Sequence, residues 1–423
     1  MFRLRAAPMG ALCVLLAVPR IVPATSGTLS LPAPPPAVTA AVRDLWMSHP
    51  RIEAADAHAR AARERASSAA RPVYNPSLQL DGENADVDRR TAGASLTLDV
   101  TGKRKARAAE SDADVRAREA DVALARRDIA LDWLKAWTSA VLAHEQTALG
   151  RRRLELMRRF DELASQRLKV GDISSPERDL AGLALGEAQV QQSSLDAAEA
   201  EALGALSALG SASTATLPRL PDGLPPEAAT VVPAAVADRP ELVQAQAEQD
   251  RADAAITVAD RQRRPDPTIS LTGGRVRSGT RTDRVVGVSV SIPLPVLNSG
   301  VYDVGAARAD ADAAHADRRA LTLRSDARLR QAATTYAALR SAGTLFREGR
   351  AAAFDERTAL LDRLWQAGEI DTSAYLVQLK QSTDTALSGL VLESQTWQAW
   401  FDYLAAAGRL TEWVDGHPKD SSP

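Results

Sequence analysis

Two windows of the chain alternate apolar and polar side chains with a period of two. Ala92, Ala94, Leu96, Leu98 and Val100 take turns with Gly93, Ser95, Thr97 and Asp99, and Val286, Val288, Val290 and Ile292 take turns with Gly287, Ser289 and Ser291. Such alternation marks a half-exposed β-strand. Leu78 and Leu80 ahead of the first window, and Ile269 and Leu271 ahead of the second, supply partner strands across the polar turns 84–90 and 277–281. The pattern predicts two hairpins, with strands at about 76–86 and 91–101 and again at about 267–277 and 282–293. Elsewhere the pattern is helical. Residues 102–169 and 300–366 contain no proline, and each would span roughly 100 Å as one helix at about 1.5 Å per residue. Shorter helical runs occupy 39–71, 174–210, 239–264 and 371–408. Taken end to end in pairs they bracket the long ones in length, which predicts a bundle in which each long helix lies beside two short ones. The Pro-rich segment 211–238 is the join near mid-height.

The order of these elements is duplicated. His49-Pro50-Arg51-Ile52-Glu53 opens a helical run that ends at Asn75-Pro76-Ser77-Leu78, and Arg239-Pro240-Glu241-Leu242 opens one that ends at Asp266-Pro267-Thr268-Ile269, with offsets of 190 and 191 residues. Further on, Arg167-Leu168-Lys169-Val170-Gly171-Asp172-Ile173 matches Arg363-Leu364-Trp365-Gln366-Ala367-Gly368-Glu369-Ile370. Proline and glycine punctuation is less prone to chance agreement than the Ala/Arg-rich helices around it.

Composition sharpens this picture. The chain of 423 residues holds 82 alanines but only 4% aromatics, so the long helices must pack closely through small side chains. A net charge of −2 argues against a nucleic-acid partner. At the start, Arg3 and Arg5 precede the apolar stretch 9–18, and Val22-Pro23-Ala24 offers a cleavage site, which predicts a secretory signal peptide over 1–24. Cys13, the single cysteine, lies within that stretch behind Leu12, so neither a lipid anchor nor a thiol is expected in the mature chain.

Four strands of this length and alternation fit a barrel wall with lipid on one side and water on the other. Four strands cannot close, and a membrane tolerates no open edge, so several chains must each contribute a sheet, three of them supplying twelve strands. Against the barrel, all seven tryptophans lie outside the strand windows, and Tyr74 and Tyr302 are the aromatics near its base.

At this point the chain resembles a known family, the TolC-like outer-membrane factors, and within it the CzcC-like heavy-metal branch. The residues that carry the resemblance are His49-Pro50 through Asn75-Pro76-Ser77-Leu78, the strand end Gly82-Glu83-Asn84, the run 101–107 at the top of the long helix and Val170-Gly171-Asp172-Ile173-Ser174 at its lower turn. The resemblance implies a mainly α protomer with a small β part. In it two helix–hairpin–helix repeats form a trimeric outer-membrane β-barrel, continued by a long periplasmic α-helical barrel. It also implies a periplasmic adaptor of the membrane-fusion type and an inner-membrane RND-type pump as partners, with a location in the outer membrane of a Gram-negative bacterium. The domains expected are the signal 1–24, a first repeat 25–210, the linker 211–238, a second repeat 239–410 and a disordered tail 411–423.

Catalytic chemistry is not apparent. His49, His58, His144, His315 and His417 are scattered and unpaired, and no phosphate loop follows Gly273-Gly274, so no enzyme, cofactor or bound metal is expected. Two groups carry candidate function. The basic run Lys103, Arg104, Lys105 and Arg107 is either a contact for anionic lipid headgroups or a solvated helix start. The turns at Gly171 and Gly368 bring Asp172, Ser174, Glu177, Glu369 and Asp371 to the tip, where the acids either form cation-favouring rings or merely cap helices. The family's acid six residues after the glycine is kept by Glu177 and replaced by Ala374 in the second copy. The function expected is a passive export duct, with metal cations as the cargo the resemblance implies. The same duct for organic toxicants or peptides, and a poreless periplasmic scaffold or adaptor, are the alternatives.

Overall fold

The computed structural model describes residues 34–84, 86–210, 218–221, 223–349 and 354–415. The expected signal 1–24 lies outside the described residues, as do 211–217 of the linker and 416–423.

Helices α1 (Pro36–Ser48) and α2 (Pro50–Ala69) each carry a proline in the first turn, where its missing N–H costs nothing. The run 39–71 is therefore two helices, parted at His49. A residue ahead of proline avoids the helical region, and His49 is extended, with its Nδ1 accepting from the Arg51 backbone N–H at 3.1 Å. Helix α3 (Lys103–Lys169) is continuous over 67 residues. Ala106, Ala113, Ala117 and Ala120 line its upper part and are buried, so α2 and α5 (Pro240–Gln262) approach closely there. Helix α4 (Ser175–Ala208) returns along the lower half of α3. In the second repeat the expected single helix 300–366 is two, α6 (Val301–Glu348) and α7 (Phe354–Gln366), because Gly349 turns to an extended conformation and ends α6. Helix α8 (Thr372–Ala406) packs on α3, α6 and α7. Residues 411–415 of the tail expected to be disordered are instead helical: α9 (Leu410–Asp415) buries Trp413 and Val414.

The strands are β1 (Ser77–Glu83), β2 (Val87–Thr97), β3 (Thr268–Ser278) and β4 (Arg281–Ser291), joined in one antiparallel sheet in that order. The second strand thus spans 87–97 rather than 91–101, since the alternation at Leu98 and Val100 continues past the end of the ladder. The two hairpins meet through β2 and β3, which places the repeats side by side. That junction depends on glycine: a Cβ on Gly274 would lie 2.1 Å from the Arg90 carbonyl oxygen.

Two separate cores hold the bundle. The larger sits at the mid-height of α3 and includes Trp133, Trp137, Tyr336, Trp400, Phe401 and Trp413. The linker is strapped across it by carbonyls. Pro218 accepts from Trp137 Nε1 at 2.9 Å, Pro225 from Arg340 Nε at 2.9 Å, Pro226 from the Tyr336 hydroxyl, and Val232 from Arg409 Nε at 2.9 Å. Prolines here break the helix while leaving their carbonyls free to accept. The smaller core lies at the far end of the helices and includes Met157, Phe160, Leu361, Trp365, Tyr375 and Leu379.

Candidate channel tip and membrane face

The two reversing turns have one construction. Gly171 (φ 80°) and Gly368 (φ 73°) take the left-handed conformation that closes a helix without a Cβ clash. Behind them the Asp172 N–H bonds to the Arg167 carbonyl at 2.9 Å, and the Glu369 N–H bonds to the Leu364 carbonyl at 2.9 Å. The duplicated sequence therefore encodes a duplicated loop, and the structure brings the copies together. Arg167 of the first turn stacks over the Trp365 ring of the second at 4.6 Å and donates to the Gln366 carbonyl at 3.4 Å. Trp365 in turn packs on Phe160 at 4.5 Å and Tyr375 at 5.3 Å between ring centroids.

The acids of the turns are divided between capping and exposure. Glu177 Oε2 accepts from the Ser174 N–H at 2.7 Å and the Ser174 hydroxyl at 2.8 Å, completing a capping box on α4. Asp371 Oδ1 accepts from the Ala374 N–H at 2.7 Å and the Ser373 hydroxyl at 2.8 Å, capping α8. In each case the second carboxylate oxygen is left out of the cap. The Ser174 N–H holds the Glu177 carboxyl below its ordinary value, with the Ser174 hydroxyl adding to it; burial and the charge of Asp371 push the other way. The Asp371 carboxyl is held down first by the Ala374 N–H. Glu177 and Asp371 thus come from different repeats yet feel each other's charge. Asp172 lies 3.7 Å from Arg167 Nε, and Glu369 is exposed at the apex.

At the opposite end, Lys103 departs from the expectation of a lipid-facing basic run. It is buried, and its Nζ lies 3.0 Å from Asp266 Oδ2, which also accepts from the Tyr74 hydroxyl at 2.9 Å. Thr101 donates to the other Asp266 oxygen at 3.1 Å. Burial pushes the Asp266 carboxyl up, but the hydrogen bonds from Lys103 and Tyr74 outweigh it and leave the group below its ordinary value. Lys103 is thereby a bolt between the repeats, at the base of the sheet. Arg104 and Lys105 stay exposed, and Arg107 is half-buried. Their helix start is held by Asp99, whose carboxylate accepts from the N–H groups of Lys103 at 2.8 Å and Arg104 at 2.7 Å. Asp266 was missed as a site residue; its signal was its place beside Pro267 in the duplicated punctuation.

The sheet has two chemically distinct faces. Ser77, Ser95, Ser270 and Ser289 stand opposite one another across four strands, beside Thr97, Thr268 and Ser291. On the other face Leu78, Ala94, Leu271 and Val288 form one row, and Leu96, Ile269 and Val290 another. Leu78, Leu271 and Val288 are 74%, 57% and 71% exposed, so this apolar face is uncovered in the single chain. β1 and β4 are unpaired edges. Among the described residues no helix is long and apolar enough to cross a membrane. Nor do the described residues gather three or more His, Cys, Asp or Glu side chains in a metal-holding group.

An open antiparallel sheet set on a long helical bundle with paired reversing turns is the fold of the TolC-like outer-membrane efflux channels. The Campylobacter jejuni CmeC outer-membrane channel superposes with a TM-score of 0.72 over 91% of each chain at 14% identity. The outer-membrane protein VceC of Vibrio cholerae does so with a TM-score of 0.69, over 88% of this chain and 96% of that one, at 15% identity. In sequence, the chain is 28% identical over 240 residues to the cobalt-zinc-cadmium resistance protein CzcC of Cupriavidus metallidurans. That match covers 55% of this chain and 57% of the relative, a little over half of each. No protein-family model matches. At 14% and 15% identity the solved structures show that the chain shares the fold of outer-membrane efflux channels, and the sequence match adds a likeness to a metal-resistance protein over a little over half of each chain.

Proposed function

We propose that the chain is one third of a passive outer-membrane duct that exports divalent metal cations handed over by an inner-membrane RND-type pump and a periplasmic adaptor. One observation carries the duct: an uncovered apolar sheet face, backed by a Ser/Thr face, between two unpaired edge strands. In lipid such a sheet is stable only when copies close it, with the hydroxyl face turned to water. The helices support the same assembly. Leu183 and Val190 on α4 are 71% and 74% exposed one heptad apart, and Val377 and Val391 on α8 are exposed two heptads apart. Gly186, beside Leu183, has nothing within 4 Å of a would-be Cβ, which leaves room for a neighbouring helix. A poreless scaffold needs none of these surfaces. Metal cargo is supported by the kinship to a cobalt-zinc-cadmium resistance protein and by acids at both reversing turns.

The test is the mass of the protein extracted from the outer-membrane fraction in mild detergent. Light scattering is expected to give three chains per particle, and a deletion strain is expected to lose resistance to zinc, cobalt or cadmium. A monodisperse water-soluble monomer would refute the duct; a trimer with unchanged metal resistance would refute the cargo alone.

A further inference from the structure

The rim of the sheet carries a charge pattern that a channel wall does not require. The helices join the strands at one end, α2 before β1, α3 after β2, α5 before β3 and α6 after β4, so the hairpin ends 83–87 and 278–281 lie farthest from the bundle. Moving along the apolar face toward those ends, the row Leu80, Ala92, Gly273 and Val286 is followed by Gly82, Arg90, Arg275 and Arg284. Asp88, Arg277 and Thr282 come next. Arg90, Arg275 and Arg284 are thus directly opposite one another on three neighbouring strands. Like charges so placed repel.

Local neutralisation is scant. Arg90 Nε lies 3.4 Å from Asp88, and Arg277 Nε donates to the Gly279 carbonyl at 3.2 Å. Among the described residues Arg275 and Arg284 have no acidic partner, and both are exposed. Apart from Asp88, the acids paired in the rim's strands are on the other face: Asp81, Glu83 and Asp283 stand there with Arg89 and Arg281. Charge is therefore segregated by face, strongly positive where the apolar band ends and mildly negative where the polar face continues. Beside the arginines the small residues Gly82, Ala92 and Gly273 leave a shallow hollow of about 800 Å³, walled by Leu80, Asp88 and Arg277.

We propose that this row binds the phosphate groups of the outer-leaflet glycolipid, with its sugar or acyl portion resting in the hollow. The inference rests on the outer-membrane reading above, which sets the hairpin ends at the outer headgroup level. A guanidinium is tolerated at that depth and not in the hydrocarbon, and it pairs with phosphate through two parallel hydrogen bonds. A phosphate between Arg275 and either neighbour replaces a repulsion by two attractions. Threefold symmetry repeats the row around the barrel, and phosphates bridging neighbouring chains would tie the edges β1 and β4 of adjacent protomers.

The probe is purified phosphorylated lipid A, offered to the full-length protein in liposomes and read by native mass spectrometry, with flotation measured in parallel. Wild-type protein is expected to float and retain lipid A. The variant R90Q/R275Q/R284Q is expected to float equally and to bind lipid A about a hundredfold more weakly, at roughly one surface charge-equivalent per arginine. R275Q alone, at the centre of the row, is the milder variant should the triple one assemble poorly, and it is expected to lose part of the affinity. The control R89Q/R281Q removes two charges from the other face and is expected to bind as wild type does. Equal binding by all variants, equal loss in the control, or displacement of lipid A by an equimolar amount of inorganic phosphate would each overturn the proposal. Wild-type protein that fails to float would instead refute the membrane reading.

Discussion

Asp266 is a case in which one carboxylate sets the relation of two half-molecules. It follows α5 of the second repeat, while Lys103, Tyr74 and Thr101 that surround it belong to the first. Removing the charge leaves a buried ammonium without a counter-ion, a loss of about 3–5 kcal/mol in comparable buried pairs. We expect Asp266→Asn to lower the thermal midpoint at neutral pH without changing the fold. The pH dependence follows from the direction of the shift. Asp266 is depressed in the folded protein, so its contribution is complete above the unfolded carboxylate value and fades as pH falls below about 4. Lys103 is raised, burial being overcome by Asp266 and Tyr74, so its share is present through neutral pH and fades only at the alkaline end. Calorimetric scans between pH 2 and 5 should show a steeper fall for wild type than for Asp266→Asn. Parallel curves would mean that the pair adds nothing beyond packing. The sequence displayed Lys103 as one charge among a basic run, because charge is visible in a sequence and burial is not.

At the scale of elements, the reversing turns were legible because glycine and its flanking acids are conformational requirements written locally. The break between α6 and α7 was not, since Gly349, extended at the end of α6, lies in an Ala/Arg-rich stretch without a proline to mark it. Helix α9 left a signal in Trp413, whose ring packs on Phe401 at 5.6 Å. The alternation located the sheet within a few residues but overran β2, because Leu98 and Val100 keep the period while the chain turns toward α3. What no local pattern held was the lower core, where Phe160, Trp365 and Tyr375 come from α3, α7 and α8. That core is distinct from the one at mid-height, so the two should unfold separately. Trp365→Ala, which removes the ring from between Phe160, Tyr375 and Arg167, is expected to cost about 3–5 kcal/mol there. Hydrogen exchange should show lost protection in α7, in the start of α8 and at the end of α3, with amides around Trp400 unchanged. Uniform loss along the bundle would mean that the two cores act as one.

For the whole molecule, the question is whether the tip acids do more than hold helix ends. Glu177 and Asp371 each commit one oxygen to a cap and leave the other out of it, so capping does not consume the charge. Glu369 is exposed, while the 3.7 Å approach of Arg167 to Asp172 offsets part of that charge. In a trimer these groups recur three times around one axis, and a ring of carboxylates lowers the energy of a passing cation while raising that of an anion. The substitutions D172N, E177Q, E369Q and D371N separate the two roles, since asparagine still caps a helix and glutamine still completes a capping box. The quadruple variant is expected to assemble as wild type does and to lose cation preference in planar bilayers, its reversal potential across a salt gradient moving toward zero. Because Glu177 and Asp371 are held ionised by their caps, the wild-type preference should persist as pH is lowered through the ordinary carboxylate range and fade only below it. A reversal potential unchanged by all four substitutions would assign these acids to the helix ends alone. In the proposed duct, cation preference would then have to arise from other residues.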